Sequence, residues 1–261
     1  MADGKKQAVI TDIYKYCSEN NKIIFDNETV KEFSKVHGFG NPFDATKLDD
    51  SQDLPQILIE NDMFIIHLGE GKHRFVKGIE IGYHNFEVID ASNETFDWKY
   101  RKSILNELDT SESNILSIAS NQRVLHDFLY EDIVASPKIY NSRRTKTNIT
   151  YKIVNEMIKA TNLQIEIDLT AEINGTVTVF EGKNGFPKDF AIYQLFHPYK
   201  YYCNIKRENK LPIDTITCCY VLRCRDDQKS VLRLYNYTFT DENEISSIKL
   251  LKKAQYTLIK R

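Results

Sequence analysis

The stretch Gln164–Lys183, QIEIDLTAEINGTVTVFEGK, decides the fold, because two runs of alternating apolar and polar residues meet at the dipeptide Asn174-Gly175. An Asn-Gly pair between alternating runs is the strongest short-range signal for a β-hairpin. If these two residues form a type I′ turn, Ile173 faces Thr176, and the residue numbers of every cross-strand pair sum to 349. The stretch therefore predicts a hairpin with a fixed register.

The predicted register brings two carboxylates together. It sets Asp168 opposite Glu181 and Glu166 opposite Lys183, and the two-residue alternation of a strand puts all four side chains on one face. Opposed Cβ atoms lie about 4.5–5.5 Å apart, so the carboxylates repel each other unless a cation lies between them. Mg²⁺ is typically held by one or two carboxylates together with substrate phosphate. The hairpin is thus a candidate metal site; the alternative is an ordinary exposed hairpin that carries charges.

The neighbouring apolar residues favour the metal site. Ile165, Ile167 and Ile173 lie on the opposite face of the first strand, while Val177 and Val179 share the face of the carboxylates. These valines indicate that the carboxylate face is at least partly covered. Charges on a covered face are costly unless they are paired or bound to a metal.

Length and composition indicate an ordinary globular protein. The 261 residues suffice for one large domain or two modest ones, and hydrophobic and charged fractions of 41% and 28% are typical of soluble proteins. No apolar run reaches the length of a membrane span, and the start lacks the apolar core of a signal peptide. Five cysteines without a CxxC pair argue against a disulfide framework and a structural zinc site. We therefore expect a cytoplasmic protein that makes no use of a membrane.

Basic residues cluster locally although the net charge is only −2. The segments 137–152 and 249–261 contain lysines and arginines with no acid, and 199–210 carries four basic residues against one glutamate. Basic patches on a nearly neutral chain fit a protein that binds nucleic acid on one side. The alternative is that these runs are merely solvated faces.

The first ninety residues resemble a winged helix-turn-helix domain. Three predicted helices precede two predicted strands, in the order Lys6–Asn20, Asn27–Val36, Leu54–Glu60, Met63–Leu68 and His73–Lys77. The basic tip GEGKHRF, residues 69–75, is similar to the wing of such a domain. A small α/β packing domain is the alternative reading of residues 1–90.

The remainder, residues 91–261, predicts an α/β core behind a helical connector over 91–147. Amphipathic spacing predicts helices over Ser111–Tyr130 and Ile149–Thr161, and an aromatic-rich helix over Lys188–Tyr202 with Gln194 near its middle. Runs rich in Val, Leu and Tyr predict strands over Ile216–Arg223 and Ser230–Thr240. Helix, hairpin, helix and further strands make a mixed α/β (α+β) fold.

Asp168, followed thirteen positions later by Glu181-Gly182-Lys183, resembles the core motif of the PD-(D/E)xK nuclease superfamily, although the leading proline is missing. Gln194 resembles the glutamine that often follows this core in the next helix. The chain is most similar to bacterial type II restriction endonucleases, part of restriction-modification systems. The resemblance implies a restriction-endonuclease-like mixed sheet flanked by helices, with Asp168, Glu181, Lys183 and Gln194 as catalytic residues and Asp168 and Glu181 as Mg²⁺ ligands.

Phosphodiester hydrolysis needs charge neutralisation on the phosphate and a hydroxide made from water, and a carboxylate-held Mg²⁺ supplies both. Lys183 would orient or deprotonate the attacking water, or offset developing negative charge. Glu166 would either anchor Lys183 or form a plain cross-strand salt bridge. Glu156, at the edge of the predicted helix, would be an auxiliary ligand or a solvated residue.

The expected partner is double-stranded DNA, and a palindromic target would argue for a twofold homodimer. We expect DNA contacts from the segment ahead of the catalytic core and from the wing, namely Arg143, Arg144 and Lys146, and Lys72, His73 and Arg74. The hypothesis is a Mg²⁺-dependent type II restriction endonuclease. The alternatives are a non-catalytic winged-helix DNA-binding regulator and a structure- or damage-specific repair nuclease.

Overall fold

Helices and strands alternate along the chain in the computed structural model, which describes residues 2–100, 112–208, 210–225 and 229–260. The helices are α1 (Ala2–Glu19), α2 (Asn27–Val36), α3 (Pro42–Ala45), α4 (Gln56–Glu60), α5 (Ile79–Gly82), α6 (Glu112–Asn121), α7 (Val124–Tyr130) and α8 (Tyr193–Arg207). The strands are β1 (Ile24–Asp26), β2 (Met63–Gly69), β3 (Lys72–Lys77), β4 (Tyr83–Asn85), β5 (Thr95–Tyr100), β6 (Lys138–Ile153), β7 (Glu156–Ile173), β8 (Thr176–Asn184), β9 (Asp189–Ala191), β10 (Thr215–Arg225), β11 (Ser230–Phe239) and β12 (Ile248–Lys260).

A seven-stranded mixed sheet forms the centre of the fold, in the order β5-β12-β11-β10-β8-β7-β6. The β8–β10 and β12–β5 pairs are parallel, and the other neighbours are antiparallel. Helix α8 connects β9 to β10 and so allows β10 to return parallel to β8, as a crossover helix does. The predicted mixed α/β class is confirmed.

The hairpin predicted at Asn174-Gly175 is confirmed. Both turn residues have positive φ, 48° and 78°, as a type I′ turn requires. The β7–β8 ladder runs from Ile173–Thr176 to Leu169–Phe180, and the residue numbers in each pair sum to 349. The register deduced from the turn therefore holds in the part of the hairpin next to it.

The helix predicted over Ile149–Thr161 is wrong, because this segment is a second hairpin formed by β6 and β7. Ile149, Tyr151 and Ile153 are buried, whereas Thr150 and Lys152 between them are exposed, which is the alternation of a strand. Val154, with a φ of 56°, begins the reversal between the two strands. Of the apolar residues that suggested a helical face, Ile153 and Ile158 are buried in this hairpin, whereas Val154 and Met157 are exposed.

The connector over 91–147 is only partly helical. It contains α6 and α7, which replace the single helix predicted over Ser111–Tyr130 and are separated at Arg123, where φ is 62°. It also contains β5 and the first part of β6. Residues 101–111 of the connector lie outside the described residues.

The first part of the chain has the predicted order of helices followed by a hairpin. Asp26 caps α2 by accepting a hydrogen bond from the Thr29 N–H at 2.9 Å. Strand β1 adds to the β2–β3 hairpin to give a three-stranded sheet in the order β1-β3-β2. None of the described helices combines the length and apolar character needed to cross a bilayer.

Two hydrophobic cores cover the two faces of the large sheet. The first core contains residues from both sides of the predicted domain boundary at residue 90, such as Ile13 and Ile66 from the first part and Ile165 and Phe196 from the second. The second lies between the α6–α7 pair and the opposite face of the sheet. The winged-helix-like part and the sheet therefore share one continuous core.

Candidate active site

The β7–β8 hairpin brings Asp168, Glu181 and Lys183 together, although its ladder ends at Leu169–Phe180 and does not include the predicted Asp168–Glu181 pair. The N–H of Gly182, which stands between Glu181 and Lys183, donates a hydrogen bond to Asp168 Oδ2 at 3.1 Å. Lys183 Nζ lies 3.6 Å from Glu181 Oε1, with side-chain exposures of 19% and 14%. The three side chains therefore form a largely shielded cluster of two carboxylates and one ammonium group.

The backbone of β7 is irregular at Asp168. The β6–β7 ladder passes from Arg143–Ile167 to Asn141–Leu169 without a pair at Asp168, and the β7–β8 ladder ends at Leu169–Phe180. The buried face changes at the same point, because Ile167 belongs to the first core and Leu169 packs against the second. Asp168 thus lies between two β6–β7 pairs and just beyond the last β7–β8 pair, and its carboxylate accepts the hydrogen bond from Gly182.

This irregularity overturns the predicted pairing of Glu166 with Lys183. Glu166 pairs with Arg144 on β6, and its Oε1 accepts hydrogen bonds from Arg144 Nε at 3.1 Å and Nη2 at 2.9 Å. The alternation assumed from the turn is broken at Asp168, so Glu166 turns outward. Both partners are exposed, and the pair contributes little to stability.

Gln194 contributes to the cluster from the beginning of α8, rather than from the middle of the helix as predicted. Its Nε2 donates to Glu181 Oε1 at 3.3 Å, and its Oε1 accepts from the Tyr220 hydroxyl at 3.2 Å. Tyr220 is the residue of β10 that pairs with Glu181. The Glu181 carboxylate is therefore positioned from the neighbouring helix as well as from its own strand.

Asp49 is a member of the cluster that the sequence did not single out. Its Oδ2 lies 3.1 Å from Lys183 Nζ. The loop that carries Asp49 is anchored by the buried Asp189, whose carboxylate accepts from the N–H and the hydroxyl of Ser51. The only sequence signal was the acidic character of this loop.

The cluster fits a Mg²⁺ ion that is bound jointly by protein and substrate. Within the ranges that the structure describes, no group of three or more His, Cys, Asp or Glu side chains is arranged to hold a metal on its own. Mg²⁺, however, usually takes one or two carboxylates and completes its coordination with water and phosphate. Asp168 and Glu181, which flank the Gly182 N–H, supply such a pair.

Three buried or half-buried histidines line the region behind the cluster. His67 and His73 are joined by their Nδ1 atoms at 2.9 Å, and His197 Nε2 lies 3.5 Å from the Tyr151 hydroxyl. Burial lowers the pKa of His67 to about 4 and the pKa of His73 and His197 to about 3. These imidazoles are therefore neutral at physiological pH.

Two of the three wing residues predicted to contact DNA are engaged with other parts of the protein. His73 is only 7% exposed, and its Nε2 donates a hydrogen bond to Asn27 Oδ1 at 2.9 Å, so it faces the core and not the solvent, where the predicted DNA contact would lie. Arg74 forms an ion pair with Glu156, the first residue of β7, and the predicted roles of these two residues stay predictions. Lys72 remains exposed at the tip.

The tip of the wing packs closely against β7. A Cβ atom on Gly69 would lie 1.9 Å from the carbonyl oxygen of Thr161, and Glu70 Oε1 accepts a hydrogen bond from Asn162 Nδ2 at 3.0 Å. Asn162 itself sits at a break in the β6–β7 ladder, with a φ of 49°. The tip of the hairpin that resembles a wing is therefore a contact between the two parts of the chain.

The predicted contacts Arg143, Arg144 and Lys146 lie exposed on β6, the edge strand next to β7. Arg143 stacks over Tyr201 at 5.2 Å and donates a hydrogen bond to its hydroxyl at 2.6 Å. Because Arg143 pairs with Ile167, it stands beside the irregular backbone at Asp168. Arg143 therefore lies on the strand beside Asp168, and both Arg143 and Arg144 have a partner on the protein.

The matches to known families divide the chain between residues 75 and 79, at the end of the β2–β3 hairpin. Residues 7–75 match a family described as a domain of unknown function (DUF6996), and residues 79–257 match a second one (DUF6997). No curated protein and no solved structure matches the chain. The second family match extends over more than half of the residues, and the chain accordingly belongs to the DUF6997 family, with a DUF6996 region before it.

Proposed function

We propose that this protein is a Mg²⁺-dependent endonuclease that hydrolyses phosphodiester bonds of double-stranded DNA, and that it is a sequence-specific restriction enzyme of type II. The observation that carries the proposal is the convergence of Asp168, Glu181 and Lys183 around the Gly182 amide. Their order and spacing resemble the PD-(D/E)xK motif, and Gln194 contacts the cluster from the next helix.

Each residue of the cluster has a chemical role in this proposal. Asp168 and Glu181 would hold Mg²⁺, which supplies charge neutralisation at the phosphate and lowers the pKa of a water molecule. Lys183 Nζ, between Asp49 and Glu181, would donate hydrogen bonds to the attacking water or to the phosphate oxygens. Gln194 would keep the Glu181 carboxylate in place, because it bridges Glu181 to Tyr220.

The DNA would approach the cluster along the exposed side of β6. Arg143 and Arg144 lie on the strand next to Asp168, and neighbouring strands are about 4.8 Å apart. Lys146 continues the same strand toward the contact with the wing, where Lys72 is exposed. These four residues would bind phosphate, which carries most of the affinity for DNA.

The first experiment replaces Asp168 by Ala and tests Mg²⁺-dependent cleavage of plasmid DNA. We expect Asp168→Ala to reduce cleavage by more than about a thousandfold while leaving DNA binding in Ca²⁺ within a few fold of the unaltered protein. The matched control is Glu166→Ala, which removes a carboxylate from the same strand but from its outer side. The assignment fails if Asp168→Ala cleaves normally, or if Glu166→Ala is equally inactive.

Metal binding can be measured without any cleavage. Ca²⁺ or Mg²⁺ should raise the melting temperature of the unaltered protein, because a ligand that binds only the folded state stabilises it. Asp168→Asn should abolish this rise and Glu166→Gln should not. Equal stabilisation of both variants would place the ion elsewhere.

End sequencing of fragments from a mixed DNA substrate separates the three kinds of function. Fragments with one common end sequence support a restriction enzyme, whereas cleavage confined to flaps, ends or lesions supports a repair nuclease. Specific duplex binding without any Mg²⁺-dependent cleavage would instead identify a DNA-binding regulator.

A further inference from the structure

A pocket of about 460 Å³ lies on the face of the large sheet that carries the catalytic cluster. Its floor is formed by β10, β11 and β12, and its walls are the segment 86–91 and the loop that follows β8. The aromatic and polar side chains of its lining include Phe86, Glu87, Phe186, Arg233, Tyr235 and Gln255. This volume is within the range of sites that bind small molecules.

Strand pairing connects the floor of this pocket directly to the catalytic lysine. Lys183 pairs with Leu222, Leu222 pairs with Arg233, and Arg233 pairs with Gln255. Paired residues on neighbouring strands lie side by side, about 4.8 Å apart, so Arg233 stands about 10 Å from Lys183 along this row. The pocket therefore begins one strand away from the cluster.

The lining provides a stacking surface for a planar group. The Arg233 guanidinium lies 4.0 Å from the centre of the Phe186 ring and is held there by a hydrogen bond from its Nε to Gln255 Oε1 at 2.8 Å. Phe86 contacts Tyr235 at 4.8 Å between ring centres and so closes the opposite side. Guanidinium planes and aromatic rings are the surfaces on which proteins stack unpaired nucleobases.

The same lining can also bind the edge of a planar group. The Gln255 amide nitrogen has two N–H donors beside the Oε1 that Arg233 engages. The Glu87 carboxylate is fixed by the Tyr237 hydroxyl at 2.7 Å and by His84 at 3.0 Å, and it offers further acceptor capacity. A ligand with hydrogen-bonding groups at its edge would use this remaining capacity, whereas a purely apolar ligand would not.

We propose that this pocket binds a nucleobase of the DNA substrate, extruded from the duplex next to the bond that is cleaved. The proposal rests on the proposed nuclease function. The extruded base would stack on the Arg233 guanidinium, and Gln255 and Glu87 would bind its edge. The sugar–phosphate backbone that carries the base would remain near Lys183. Extrusion of a base is known to expose both its faces and its pairing edge to a protein.

The test uses 2-aminopurine, a base whose fluorescence rises when it leaves the stack. Duplexes that span the mapped cleavage site, each with 2-aminopurine at one position, are bound in Ca²⁺ so that no cleavage occurs. We expect a several-fold rise at one position with the unaltered protein, and loss of that rise with Arg233→Ala and with Gln255→Leu. Arg207→Ala is the control, because it removes an arginine from the far end of α8.

Circular dichroism melting and fluorescence anisotropy establish that each variant is folded and binds the duplex. If the unaltered protein cleaves DNA but no position shows the rise, the pocket proposal is wrong and the nuclease assignment stands. If it neither cleaves nor binds DNA, both fail. A deoxynucleoside monophosphate that binds in calorimetry and is lost with Arg233→Ala, without any rise in the duplexes, would assign the pocket to a free nucleotide and overturn the proposal.

Discussion

Mild acid should destabilise this fold through His67, His73 and His197. Burial lowers the pKa of His67 to about 4 and that of the other two to about 3, whereas an unfolded histidine has a pKa of about 6.5. Below pH 6.5 the unfolded chain therefore takes up protons that the folded chain does not. The stability that these groups contribute is present above pH 6.5 and is lost as the pH falls.

The size of the effect follows from the proton linkage. Between pH 7.5 and 5.5, each histidine that is neutral only in the fold lowers the free energy of unfolding by about 1.4 kcal/mol. The three together give a loss of about 4 kcal/mol, a large part of the roughly 5–15 kcal/mol that stabilises a typical domain. Ordinary carboxylates titrate below this range and change little within it.

Urea unfolding followed by circular dichroism at pH 7.5, 6.5 and 5.5 measures this loss. His197→Phe keeps the aromatic contacts of α8 with Tyr151 and should reduce the loss between pH 7.5 and 5.5 by about one third. A free energy of unfolding that changes by less than about 1 kcal/mol over this range would refute the reasoning. The same conclusion follows if His197→Phe leaves the pH dependence unchanged.

Two further substitutions test the contacts that hold the first part of the chain. Gly69→Ala should lower the free energy of unfolding by more than about 3 kcal/mol, as measured in a thermal melt, because its Cβ would collide with the Thr161 carbonyl. Gly185 also has a positive φ but no neighbour within 4 Å, so Gly185→Ala should lower it by only about 1 kcal/mol. Equal costs would contradict the close approach. Asp26→Ala should cost about 1 kcal/mol through loss of the α2 cap at Thr29, and urea unfolding of the variant checks this value.

The local sequence was sufficient to predict the structure where a few neighbouring residues determine the backbone conformation. The Asn174-Gly175 turn requires positive φ at two successive residues, which is common only for such residues, and it set the register of the hairpin. The predicted helix over Asn27–Val36 also has its observed bounds, and Asp26 caps its first turn. The relation of Glu181 to Lys183 also followed, because two residues on one strand share a face without any help from the rest of the fold.

Contacts between residues remote in sequence determined the features that could not be predicted from the sequence. Ile153 and Ile158 fit a helical spacing as well as an alternating one, and only the pairing of β6 with β7 selects the strands. The alternation that placed Glu166 beside Lys183 assumes a regular strand, and the break at Asp168 lies in tertiary structure. His73 lies in a basic segment, yet the face of its hairpin that becomes buried depends on where that hairpin docks.

Asp49 illustrates the same limit for the candidate site. The acidic loop contains Asp44, Asp49, Asp50 and Asp53, and nothing in their local sequence distinguishes the one that reaches Lys183. The contact between Ser51 and Asp189, two residues that are remote in sequence, holds the loop where Asp49 reaches Lys183. A pattern search over short windows cannot detect such a contact.

The contact between Asp49 and Lys183 has a consequence for the order of events during biosynthesis. The two residues are separated by 134 positions, so at translation rates of 5–20 residues per second the loop leaves the ribosome about 7 to 27 s before its partner. Contacts of such long sequence separation also form slowly, because the chain between them must first be ordered. In a growing chain Asp49 is therefore present well before Lys183, and their ion pair forms only after the later strand has been synthesised.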